Sequence, residues 1–66
     1  MGEFRSELKK YRQLAEMTQD ELAEKVGVRR ETIVRLEAGK YNPSLKLAVD
    51  ISRAVHMTIE EIFIFE

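Results

Sequence analysis

Between Gly27 and Gly39 the chain reads VRRETIVRLEA, with three arginines and two glutamates in eleven residues. An arginine fork matches guanine O6 and N7 or a phosphate, and a glutamate accepts from a cytosine amino group. The same residues also suit a blander role. Glu31 and Arg35 stand one helical turn apart and would form an exposed ion pair contributing about 0.3–0.5 kcal/mol. Val34 interrupts the charges; it is either a stray surface residue or a contact for a thymine methyl. Spacing within the run does not separate these uses, so the elements around it must.

Phe4, Leu8, Tyr11, Leu14 and Ala15 recur at intervals of three and four, predicting a first amphipathic helix over 5–15. Thr18 and Glu21 form a capping box that opens a second helix, with Leu22, Ala23 and Val26 inward and Gly27 as its left-handed stop. A third helix is predicted over about 30–38, with Ile33 and Leu36 inward and Gly39 after it. In GKYNPS, Pro43 forbids helix through the preceding residue. Ser44 then caps a fourth helix carrying Leu45, Leu47, Ala48, Ile51, Ala54 and Val55, with His56 at its end. A second capping box, Thr58 with Glu61, opens a short fifth helix running into IFIFE. The chain therefore reads as all-α.

The second and third helices share a turn too short for antiparallel packing, so they must cross steeply. Counted from Gln19, Ala23 lies four residues on, Gly27 four more, Ile33 six further and Leu36 three beyond. A small residue allows close approach, a glycine makes the turn, and two branched apolar residues anchor the third helix. Its opposite face is then left protruding, with dimensions that fit a DNA major groove.

With T-Q-x-E-L-A-x-x-x-G-V from Thr18, I-x-x-x-E-x-G-K from Ile33 and N-P-S-L from Asn42, the chain resembles the Cro and phage-repressor helix-turn-helix family in its compact stand-alone form. The resemblance implies a five-helix lambda-repressor-like fold. It also implies sequence-specific binding of a double-stranded DNA operator as a homodimer, usually for repression. Arg29, Arg30, Glu31, Val34 and Arg35 take the positions from which that family reads bases or their flanking phosphates. Gln19, Thr32, Lys40, Tyr41 and Asn42 fall where the family grips the phosphate strand, although Tyr41, like Tyr11, also suits a packing role. Arg12 and Glu37 match a pair that relatives often join in a partly buried salt bridge. Three positions depart from the pattern: Arg29 stands where Ser or Thr usually caps the third helix, Glu16 where glycine is usual, and Ala38 where Asn is common. Glu16 is therefore expected to adopt a left-handed conformation.

Composition sets limits on partners. Sixty-six residues with 44% hydrophobic and 35% charged side chains make one small domain, 1–66, with the helix-turn-helix at about 18–38. With no cysteine and one histidine, His56, neither a disulfide nor a structural zinc site is expected, and no metal or cofactor. A nucleophile, base and orienter set is missing, so no enzyme is expected. Net charge is −1, but it is distributed in blocks. Arg5, Lys9, Lys10 and Arg12 face Glu7 alone, while Glu16, Asp20, Glu21 and Glu24 gather elsewhere, which allows a positive face on a near-neutral chain. No apolar run approaches the roughly 18 residues of a membrane span. MGEFRSELKK lacks an apolar signal segment, so a cytoplasmic protein is expected, with no room for a separate effector domain.

The apolar tail suggests self-association. Ile62 and one phenylalanine could complete the core, while Ile59, Ile62, Phe63, Ile64 and Phe65 could meet a second copy, helped by a short strand at a two-fold interface over about 58–66. The alternative function is an antitoxin-like module of the same fold that neutralises a partner enzyme.

Overall fold

A computed structural model describes residues 4–65; Met1–Glu3 and Glu66, which the domain and tail expectations included, lie outside the described residues. In chain order the elements are β1 (Arg5–Ser6), α1 (Leu8–Leu14), α2 (Gln19–Val26), α3 (Arg30–Glu37), α4 (Leu45–Val55), α5 (Ile59–Ile62) and β2 (Phe63–Ile64). The five helices and two-stranded sheet match the expected architecture. No helix among the described residues is long and apolar enough to cross a membrane.

The first helix is shorter than its periodicity predicts, because Arg5 and Ser6 are used in a strand. They pair antiparallel with the tail, Arg5 opposite Ile64 and Ser6 opposite Phe63, and the Glu7 amide donates to the Ile62 carbonyl at 2.8 Å. Phe4 packs edge-on against Phe63 with ring centroids 5.4 Å apart. The tail strand thus pairs with the chain's own N-terminal segment. Leu14, assigned to the inner face, is 72% exposed, since α1 ends there and the chain turns away. Glu16 takes the left-handed φ of 60° at that turn.

The helix signals at α2, α4 and α5 act as their residue types dictate. Thr18 accepts from the Glu21 amide at 3.0 Å while its own amide donates to the Glu21 carboxylate at 2.8 Å. Thr58 and Glu61 repeat the exchange, and Ser44 accepts from the Leu47 amide at 3.1 Å. These bonds satisfy amides that an uncapped helix start would leave unpaired. Arg29 caps α3 with backbone alone.

Gly39 has two constraints. Its φ is +72°, and the Phe4 carbonyl oxygen occupies the space a Cβ would need, so α3 ends against the N-terminal segment in a way only glycine permits. Leu8, Leu22, Ile33, Leu36, Ile51 and Ile62 are fully buried, each contributing about 1.5–3 kcal/mol of transfer free energy. Leu45 does not join them. As the first residue of α4 it faces away from the helix stripe and is 78% exposed.

Candidate nucleic-acid interface

Ile33 and Leu36 hold α3 by its inner face, both without solvent exposure. Ala23, nearly buried on α2, presents only a methyl group to its neighbours, and Gly27 makes the turn at φ 76°. These are the residues whose offsets required a steep crossing. Fixed in this way, α3 turns Arg29, Arg30, Glu31, Val34 and Arg35 to solvent, with Val34 43% exposed and Thr32 half-buried on the flank.

The charges on this face are not neutralised by one another. Ion pairs within 4.0 Å among the described residues join Arg5 to Glu7, Arg12 to Glu37 and Lys46 to Asp50. Glu31 and Arg35 do not pair despite their spacing, so the bland role set out for them is not taken. Arg29, Glu31, Thr32, Arg35 and Tyr41 line one shallow depression beside α3. On the other flank Arg30 shares a depression with Thr18, Gln19 and Asp20 at the start of α2. Arg29, Glu31 and Arg35 therefore lie on one side and Arg30 on the other, while Val34 lines neither depression. Lys40 is exposed, while Asn42 turns toward a different, apolar groove with Pro43, Leu45, Ala48, Ile59, Phe63 and Phe65.

Behind the face lies a buried polar cluster. Arg12 Nε meets Glu37 Oε2 at 2.5 Å, with side chains 9% and 7% exposed. Arg12 Nη1 donates to the Met17 carbonyl at 2.9 Å and Nη2 to Glu37 Oε1 at 3.4 Å. Gln19 Nε2 donates to the same Glu37 oxygen at 3.0 Å, and Gln19 Oε1 accepts from Arg30 Nε at 3.4 Å. No buried side-chain nitrogen or oxygen among the described residues lacks a partner, which a buried ion pair requires if it is not to destabilise the fold.

Two expectations need correction. Arg12 was counted in an N-terminal basic block facing phosphates; it is internal, Arg5 lies against Glu7, and Lys10 stacks over Tyr11 at 5.2 Å. The block is therefore not one continuous surface. Ile62 and Phe63, assigned to a dimer interface, are buried in the chain's own core. Of that set Ile59 and Ile64 remain half-buried and Phe65 is 62% exposed. Sequence reasoning missed Leu45 and Pro43 beside them; the signal for Leu45 was its place directly after the cap Ser44, one step out of phase with Leu47.

Comparison with known proteins is consistent across sequence and structure. A helix-turn-helix family model matches residues 8–62. An uncharacterized HTH-type transcriptional regulator of Archaeoglobus fulgidus is 61% identical over 63 residues, covering 96% of this chain and 89% of that one. The uncharacterized HTH-type transcriptional regulator YgzD of Bacillus subtilis is 39% identical, with 96% of each chain covered. The restriction-modification controller protein C.AhdI of Aeromonas hydrophila superposes with a TM-score of 0.73 at 26% identity, over 82% of each chain. The clp gene regulator ClgR of Corynebacterium glutamicum gives 0.74 at 26% identity, with 82% of this chain aligned to 57% of that one.

Proposed function

The chain belongs to the helix-turn-helix family of DNA-binding transcriptional regulators and is not an enzyme, and from that premise we propose that it binds a pseudo-palindromic duplex operator as a homodimer, in the cytoplasm, and represses transcription there. The observation that carries this reading is α3 with its N-cap: anchored by Ile33 and Leu36, they expose Arg29, Arg30 and Arg35, with which no carboxylate among the described residues forms an ion pair. A helix whose charges served only to solvate it would gain by pairing Glu31 with Arg35.

In this reading α3 enters the major groove. Arg30 and Arg35 donate in pairs to guanine O6 and N7, Glu31 accepts from a cytosine amino group, and Val34 meets a thymine methyl. Arg29 serves the flank of the same site. Thr32, Lys40, Tyr41 and the backbone at Asn42 hold phosphates and so set register rather than sequence preference, while Gln19 meets a phosphate and also accepts from Arg30. The whole chain acts as one DNA-binding domain, with the helix-turn-helix at about 18–38 and the region from about 58 onward contributing to the dimer. The dimer face of this reading is the apolar groove: Leu45, Pro43, Ile59 and Phe65 supply its surface with Phe63 at its floor, and the buried Ile62 and the oppositely facing Ile64 do not.

Selection of bound duplexes from a random pool tests the reading. The expected product is two inverted half-sites with centres about 34 Å apart, one helical turn. A pool that stays random after repeated selection would refute operator binding, and a single unrepeated half-site would refute the dimer.

A further inference from the structure

The buried ion pair is connected to the exposed face, and the connection has a direction. Glu37 carries a carboxylate, which only accepts hydrogen bonds, and Arg30 carries a guanidinium, which only donates them. Gln19 lies between the two. Its amide has one donor end and one acceptor end, so a single orientation satisfies both neighbours: Nε2 toward Glu37 Oε1 at 3.0 Å and Oε1 toward Arg30 Nε at 3.4 Å. Glu37 is itself held from behind by Arg12, which is anchored on the Met17 carbonyl.

We propose that the Arg12–Glu37 pair fixes Gln19 as an outward-facing acceptor, and that Gln19 is thereby a positioning residue that aims Arg30. With Nε engaged by Gln19, the guanidinium keeps Nη1 and Nη2 for an end-on, two-pronged contact. A guanidinium held in this way loses less rotational freedom when it meets a base than one swinging freely on its stem. Arg35 makes no side-chain hydrogen bond among the described residues and is not aimed in this way. Arg30 is the prepared contact of the two, and position 30 requires a donor. The inference rests on the reading of α3 as a base-reading helix.

The test has one part with DNA and one without. In the free protein, the Arg30 Nε–H exchanges with water more slowly than the Arg35 Nε–H by nitrogen-detected NMR, and Gln19→Leu removes the difference while the backbone amide spectrum stays folded. Equal exchange in the wild type overturns the positioning claim whether or not DNA binds. With a duplex obtained by selection and its single-base variants, Arg30→Ala and Gln19→Leu each reduce discrimination at the same base pair by about fivefold or more, and the double variant loses no more than Arg30→Ala alone. Independent, multiplying losses overturn the proposal. So does a Gln19→Leu loss spread evenly over all variants, which marks Gln19 as a phosphate contact only. Failure to obtain any duplex instead refutes the function proposed above, and the exchange measurement still decides the positioning.

Discussion

At the residue scale, the side chains on α3 divide by what holds them. Ile33 and Leu36 are fixed by burial and Glu37 by Arg12, while Glu31, Val34 and Arg35 are left to solvent. Removing Arg35 should therefore cost recognition and leave stability intact: Arg35→Ala weakens binding of a selected duplex by about 1–3 kcal/mol and relaxes preference at one base pair. Fluorescence anisotropy against a set of single-base variants measures it, and unchanged preference at every position contradicts the role. Glu37→Ala should do the reverse first. It leaves the Arg12 guanidinium buried without its carboxylate, destabilising the fold by about 3–5 kcal/mol in urea denaturation. A loss under 1 kcal/mol would show that the pair carries little of the structure.

The elements show what a sequence reveals and what it withholds. Both capping boxes, the serine cap of α4 and the left-handed Gly27 were legible because each depends on residues within one turn of one another. The β1–β2 pairing was not. Arg5 and Ser6 meet Phe63 and Ile64 from opposite ends of the chain, and a two-residue strand has no period to detect. Leu14 and Leu45 were misassigned for a related reason: at a helix end the periodicity still includes a residue that the chain's turn has already exposed. The buried pair was visible only through family resemblance, and the link from Arg12 through Glu37 and Gln19 to Arg30 joins side chains on three helices at once.

Two predictions belong to this scale. Gly39→Ala should destabilise more than Gly27→Ala. Both put a methyl on left-handed backbone, at about 1–2 kcal/mol, but only at Gly39 does the Phe4 carbonyl fill the space, whereas Gly27 faces nothing within 4 Å. Equal losses in thermal melts would contradict the close approach. At α5, the Thr58 backbone amide and then its hydroxyl hold the Glu61 carboxyl below the usual carboxylate range. The folded value is the lower one, so this contribution to stability is present above the unfolded pKa and is lost as pH falls through the folded value. A carbon-detected titration should show Glu61 titrating low, and Thr58→Ala should raise it part of the way; an ordinary midpoint in the wild type would contradict the cap.

For the whole molecule, a small core and a leftover apolar surface point to the same need. Leu45 and Phe65 remain largely exposed beside Pro43 and Ile59, although six side chains are fully sequestered. Burial of this surface against a second copy would stabilise the fold and double the number of DNA contacts. Phe65→Glu combined with Leu45→Lys should convert a dimer to a monomer in sedimentation equilibrium without unfolding it, since neither residue is in the core. A variant that still sediments as a dimer would put the interface elsewhere. The central claim is that the exposed face of α3 distinguishes sequences, and it is met most directly by one ratio: affinity for the selected duplex over a shuffled duplex of equal length and composition, at one fixed salt concentration. A base-reading α3 gives a ratio of about 10³ or more for the wild type, and a ratio near one would show that this face does not distinguish sequences.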